Sequence, residues 1–213
     1  MRHAPLTARI AAPIINPRLQ NRGMKPGSHP DYKKLVEALR ALRGLAAPYS
    51  ATLYRCVETA FAHDFVSGKG AQFHGGRWNP KGAFPAVYLC DSPETALAEY
   101  LARVRRMRLP DARALPMVMA AVETRVTSAL DLDSPEVAAV VRPFLALEKI
   151  HWRAIQNRRE AASQSIGRAL HQLGVCALLS TSQARSSGRT IVLFPDRFTS
   201  RDRLSAPSLK ILT

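Results

Sequence analysis

The sequence predicts a single α+β domain that begins near residue 48 and stands behind a basic extension. Two observations carry this. Short apolar runs of strand type recur at residues 52–57, 84–90, 116–126, 175–180 and 189–194, and the stretches between them open on helix-capping residues. No internal repeat, heptad or long apolar window interrupts the series. A membrane helix needs about 18 or more uninterrupted apolar residues, and no window approaches that. The apolar run at residues 10–15 is broken by Pro13 and too short for a secretory signal, so a cytoplasmic location is expected.

Residues 1–30 hold five Arg or Lys and no acid. Pro13, Pro17 and Pro26 oppose the amphipathic helix of an organelle transit segment, so this stretch reads as a loosely ordered basic arm. A helix is expected at 31–43, capped by Asp31, with Tyr32, Leu35, Leu39 and Leu42 at helical spacing. Arg55 interrupts the strand at 52–57, either as a solvent-facing residue or as a cation facing a cleft.

Residues 61–82 form a long glycine-rich segment, and loops of this length inside a compact domain tend to be functional or disordered. Phe73, Trp78 and Phe84 favour order, because aromatic rings need apolar neighbours. Gly75 and Gly76 can take positive φ and admit close backbone approach. Arg77 follows with a planar fork suited to phosphate or carboxylate. After the strand at 84–90, Ser92-Pro93-Glu94 opens a helix with a hydroxyl cap, proline at the first position and an acid in the first turn. Loop, strand and helix start converge between residues 72 and 99, an arrangement typical of a site.

The helix at 93–107 buries Ala96, Leu97, Tyr100, Leu101 and Val104 on one stripe. Glu99 lies off that stripe, and periodicity reads it as an exposed acid pairing with Arg103, worth only about 0.3–0.5 kcal/mol. Arg103, Arg105, Arg106 and Arg108 complement the helix dipole at its C-terminal end. Ser134-Pro135-Glu136 repeats the cap signature. Helices are expected at 144–159, with Trp152 on the apolar side, and from Ser163 to Gly174. The domain reading is therefore 1–47 extension with one helix, 48–200 α+β domain and 201–213 polar tail.

Cys56, Cys90 and Cys176 are far apart and fit buried reduced thiols. No Cys/His cluster has metal spacing, so no metal site is expected. The net charge of +15 splits into +7 for residues 1–50 (nine basic, two acidic), +4 for 51–182 (16 against 12) and +4 for 183–213 (six against two). Such a chain can bind nucleic acid, a polyanionic small molecule or an acidic partner. With no recognition motif or stacking platform, direct nucleic-acid binding is the lesser reading.

Laid out in order, these residues resemble the RES domain family, bacterial toxins that act on NAD and occur beside a helix-turn-helix (Xre-type) antitoxin. The likeness runs from about residue 53 to residue 195. It rests on Tyr54-Arg55, Gly75-Gly76-Arg77-Trp78-Asn79, Val87-Tyr88 with its helix reaching Glu99, Trp152, Gln164-Ser165-Ile166-Gly167, and Ser182 ahead of the strand at 191–194. No single piece is specific; the ordered series is.

The resemblance implies an ADP-ribosyltransferase-like split β-sheet with surrounding helices, holding NAD as substrate, with no cofactor. Arg55 and Arg77 match the family's arginines and would engage the diphosphate. Glu99 matches its glutamate and would stabilise the charge that develops on ribose as the nicotinamide bond breaks. Tyr88 would border the nicotinamide, Gly76 would lie against the nucleotide, and Ser182 would hydrogen-bond the nucleotide or orient another side chain. Thr181 stands where the family often has proline, which leaves Ser180 as the other match for the serine. The implied reaction is NAD hydrolysis or phosphorolysis, checked by an antitoxin. The alternatives are an ADP-ribosyltransferase acting on a protein target, a catalytically silent binding partner, and a basic nucleic-acid-binding module.

Overall fold

The computed structural model describes residues 28–148 and 151–213. Nearly all of the expected basic arm, residues 1–27, lies outside them. The strands are β1 (Ala47–Glu58), β2 (Val87–Cys90), β3 (Met117–Asp131), β4 (Ala177–Thr181), β5 (Arg189–Leu193) and β6 (Arg203–Leu212). The helices are α1 (Tyr32–Ala41), α2 (Lys69–His74), α3 (Pro93–Arg106), α4 (Pro135–Ala146), α5 (Trp152–Ile155) and α6 (Ala162–Gln172).

The fold is α+β, and its sheet is split. One ladder is built on β3, which pairs antiparallel with β1 on one edge and β6 on the other. The second is β2–β5–β4, also antiparallel. Two narrow seams join them. Tyr54↔Cys90 is the register pair between β1 and β2, and the parallel pairs Ala129↔Ala177, Leu130↔Leu178 and Asp131↔Leu179 link β3 to β4.

Alternation along the strands sends side chains into separate cores. Leu53, Val57, Val87, Leu89, Val122, Ile191 and Leu193 fill one. On the other face Leu130, Leu178, Val192 and Phe194 meet Val137 and Val141 of α4 and Ile166 and Leu170 of α6. Leu35 and Leu39 of α1, which the sequence assigned to an extension, are buried in this same core. Ala96, Tyr100 and Val104 carry α3 onto Cys56, Cys90 and Met117. All three cysteines are free and buried.

Two segments depart from the sequence reading. The helix expected at 144–159 is two pieces: α4 ends at Ala146, and α5 is a single turn holding Trp152 and Ile155 inward. Between them Glu148 binds Arg159 Nη1 at 2.6 Å and accepts the backbone N–H of Ala162 at 2.8 Å, which turns the chain back to start α6. Ser163 lies inside α6 rather than capping it. The expected polar tail is instead β6, paired along β3 from Met117↔Leu212 to Arg125↔Arg203. An edge strand is held by main-chain bonds, so its side chains advertise it weakly. Asp202 fixes its start by accepting from Thr127 N (2.6 Å) and from Thr199 N (2.6 Å) and Oγ1 (2.7 Å).

His171 joins α6 to the chain after β5. Its ring stacks on Phe84 with centroids 3.9 Å apart, and Nε2 lies 2.8 Å from Asp196 Oδ2. Burial holds its pKa below the ordinary 6.5, against the opposing pull of Asp196. Protonation therefore favours the unfolded chain. The stability contributed by neutral His171 is complete above 6.5 and is lost as pH falls through the lower folded value. The urea midpoint should decline from pH 7 towards about pH 5, and His171→Gln should flatten that decline. An unchanged slope in the variant would refute the assignment.

Candidate active site

The glycine turn after α2 is fixed by its neighbours. Of the two glycines expected at positive φ, only Gly75 takes it, at 76°. Gly76 is required for closeness instead: a Cβ there would lie 2.3 Å from the Tyr88 hydroxyl and 2.5 Å from Asn79 Oδ1. Tyr88 donates to Asn79 Oδ1 at 2.8 Å and accepts from Trp78 N at 2.9 Å. Buried Asn79 donates to Ala71 O at 2.8 Å and its carbonyl accepts from Gly76 N at 2.9 Å. Burial raises the Tyr88 pKa, so the phenol stays protonated in its two bonds.

From the other side α6 braces the same turn. Gln164, buried, donates Nε2 to Gly76 O at 3.1 Å and also reaches Gln156 Oε1 at 3.2 Å. Gly167 packs directly on the Trp78 carbonyl. Held in this way, Arg77 lies over the Trp78 ring, 4.6 Å from its centroid, and donates to Thr181 O at 3.4 Å. It has no ion pair among the described residues. Burial lowers its pKa, and Glu99 is foremost among the groups that oppose this, which places Glu99 within electrostatic reach.

Glu99 comes from α3, whose first turn is capped by Ser92 Oγ accepting from Thr95 N at 3.1 Å. Its side chain turns to the loop after β4. Oε1 accepts from Ser182 Oγ at 2.7 Å, Gln183 N at 3.2 Å and Ala184 N at 3.4 Å. Oε2 takes no hydrogen bond among the described residues. The expected Glu99–Arg103 pair is absent, because Arg103 bonds Glu58 across to β1.

Ser182 settles which serine meets the glutamate. Its one proton goes to Glu99, while its oxygen accepts from Ala184 N (3.1 Å) and Arg185 N (3.2 Å). Ser180 is buried, with no hydrogen-bond partner for its hydroxyl among the described residues.

Arg55 stands apart from this group. Its Nη1 donates to the Phe65 carbonyl, and burial first, then Arg103, pulls its pKa down to about 10. It has no hydrogen bond to Arg77, Glu99 or Ser182 among the described residues. Burial pushes the nearby Cys90 thiol up to about 12, with Glu99 adding to the shift and Arg55 opposing it. Gly76, Arg77, Tyr88, Glu99 and Ser182 are brought together by these bonds, and Arg55, bonded to the Phe65 carbonyl, is not joined to them. Asn79, Gln164 and Asp133 were missed as site-building residues. Asn79 and Gln164 stand in the stretches that carry the family likeness, but an Asn in a glycine-rich loop reads as a turn former and nothing gives Gln164 a role, while nothing marks Asp133.

The ensemble presents a carboxylate held through one oxygen by neutral donors, facing a cation held by a carbonyl. Residues 52–211 match the model of the RES domain, a range that contains every one of these side chains. The chain belongs to the RES domain family. It is 35% identical over 98 residues to the NAD(+) phosphorylase MbcT of Mycobacterium bovis, and equally to that of Mycobacterium tuberculosis. That match takes in 44% of this chain and 50% of each relative, so the chain spans about half the length of the curated relatives it matches. The crystal structure of the M. tuberculosis MbcT–MbcA toxin–antitoxin complex shares the RES fold. The TM-score is 0.66 at 24% identity, covering 84% of this chain and 92% of that one.

The bracing by α6 is open to a direct check. A Cβ at Gly167 would stand 1.7 Å from the Trp78 carbonyl oxygen, and backbone cannot give way as a flexible side chain can. Gly167→Ala should cost about 2 kcal/mol or more in urea unfolding. A cost near zero would mean that α6 does not bear on the turn.

Proposed function

We propose that this RES protein cleaves the nicotinamide–ribose bond of NAD, with inorganic phosphate as the favoured acceptor. The observation that carries the reading is the Ser182–Glu99 bond opposite Arg77. As the C1′–N bond breaks, its electron pair moves onto the ring nitrogen and neutralises the pyridinium. Positive charge is left on C1′ and the ring oxygen of the ribose. Glu99, fixed through Oε1, offers Oε2 to that charge. This interaction strengthens only as the bond breaks, so it lowers the barrier rather than tightening ground-state binding. An oxygen of phosphate then bonds C1′, giving nicotinamide and a phosphorylated ADP-ribose.

The remaining residues bind and orient. Arg77 and Arg55 would neutralise the diphosphate. The Tyr88 hydroxyl is committed to Asn79 and Trp78, so Tyr88 would act through its ring, bordering the nicotinamide beside Gly76. Ser182 would serve by orienting Glu99, its proton being already placed there. Phosphate is favoured over water or a protein side chain because the relatives matched above are NAD(+) phosphorylases. A toxin role follows, with an antitoxin of helix-turn-helix (Xre) type covering the cleft; the neighbouring structure is a toxin–antitoxin complex. A cytoplasmic location goes with this reading, and no helix among the described residues is long and apolar enough to cross a membrane.

Purified protein given NAD should release nicotinamide, with a phosphorylated ADP-ribose appearing only when phosphate is present. Free ADP-ribose would instead mean hydrolysis, and modified protein would mean transfer. Glu99→Gln should lower turnover by about 10²–10³ while leaving the melting temperature nearly unchanged. Wild-type turnover in that variant would remove the carboxylate from the mechanism.

A further inference from the structure

The seam between β3 and β4 has three ladder pairs and ends at Asp131↔Leu179. Leu132 N adds one more bond to Leu179 O at 2.9 Å, and the β3 backbone then leaves for α4. Thr181, the last residue of β4, keeps its pairing with Arg189 of β5 but has no β3 residue opposite it. A side chain fills that place. Asp133 Oδ2 accepts both the Thr181 backbone N–H at 2.7 Å and the Thr181 hydroxyl at 2.8 Å. The carboxylate stands in for the missing carbonyl and carries the seam one residue further.

That residue matters because of what it joins. The Thr181 carbonyl accepts from Arg77 Nη1 at 3.4 Å, and the next hydroxyl along, Ser182, donates to Glu99 at 2.7 Å. Thr181 therefore lies between the cation and the anion of the site, and its own position depends on Asp133. Asp133 is anchored in turn. Its N–H donates to Asp131 Oδ1 at 2.9 Å, and Arg189 Nη2, which pairs with Asp131, comes within 3.6 Å of Asp133 Oδ2.

The Asp133 side chain remains 36% exposed, so its place in the core is minor. We infer that Asp133 is a positioning residue that sets, through Thr181, both the Ser182–Glu99 contact and the reach of Arg77. The inference rests on the NAD-cleaving reading given above.

Four proteins test it: Asp133→Ala, Asp133→Asn, Ser182→Ala and the double variant Asp133→Ala/Ser182→Ala. Asp133→Ala should lower NAD turnover roughly tenfold to hundredfold, the scale expected when a catalytic group is misplaced by about an ångström. Asp133→Asn still offers one oxygen to both Thr181 donors and should recover most of the activity. On the Ser182→Ala background the alanine should cost a clearly smaller factor, because the two residues share one path. Equal losses in the Ala and Asn variants, or factors that multiply in full, would overturn the inference. If Asp133→Ala does not fold, Thr181→Val removes one of the two bonds and should show a smaller loss that is likewise reduced beside Ser182→Ala. Should the wild-type protein leave NAD intact, the enzymatic reading fails by itself. Amide exchange at Thr181 and Ser182 then decides the structural claim: faster in Asp133→Ala but not in Asp133→Asn sustains it, and no change in either refutes it.

Discussion

In the proposed reaction the carboxylate that meets the developing cation must be held in place with no cation paired to it beforehand. Glu99 satisfies this because its partners are a hydroxyl and two backbone amides, none of which carries a full charge. The nearest candidates for neutralising it are diverted. Arg103, one helical turn away, is drawn off by Glu58, and Arg77 rests on a carbonyl. The Glu58–Arg103 pair is exposed on both sides and contributes little to stability as an ion pair. Its larger effect is to keep the Arg103 guanidinium from pairing with Glu99. The hydrogen bond from Ser182 is thus the contact on which the proposed chemistry depends, and the surrounding architecture holds its two ends together.

Those ends come from different parts of a split sheet. β2 leads straight into α3 and so delivers Glu99, while β4 ends one residue before Ser182. Both strands pair with β5, which ties the two contributions to one rigid ladder. The glycine turn is anchored to the same ladder through the Tyr88 hydroxyl on β2 and braced from behind by Gln164 and Gly167 of α6. A site assembled on regular elements is placed more accurately than one assembled on loops alone, and electrostatic stabilisation depends on that accuracy. Buried Asn79 and Gln164 serve this placement through their hydrogen bonds to the glycine turn and its neighbours.

Much of the architecture was legible because its signals are local. Strand runs with apolar neighbours and the Ser92-Pro93-Glu94 cap depend on residues close in sequence, and they lie where the pattern puts them, within a few residues. The direction of Glu99 was not legible in this way. Helical periodicity measures distance from an apolar stripe, and it favoured an exposed acid beside Arg103. The true partner, Ser182, lies 83 residues away, on a loop whose position is set by strand pairing. Only the likeness to a family, which orders distant residues in one series, pointed to Glu99. β6 escaped notice for a related reason, since its stability resides in backbone pairing with β3. The helix expected at 144–159 failed because its apolar spacing continues across a turn made by one buried carboxylate, Glu148.

The positive charge of the chain also acquires a sharper meaning at this site. Several acids of the central region are already engaged: Asp111 with Arg105, Asp131 with Arg189, Glu148 with Arg159, Glu160 with Arg168. Arg77 and Arg153 differ from those arginines. Each lies over an indole, 4.6 Å from the Trp78 centroid and 4.4 Å from that of Trp152, and neither has a salt bridge among the described residues. Stacking stabilises a guanidinium by about 0.5–1 kcal/mol or more without a carboxylate on its N–H edge, which in Arg77 gives only one bond among the described residues, to the Thr181 carbonyl. A carboxylate partner would occupy that edge and would have to be displaced before a phosphate could bind. Aromatic support is therefore the cheaper way to hold a cation ready for an incoming anion. Arg77 and Arg153 are set apart in this way from the salt-bridged arginines, a distinction that the net charge alone does not make.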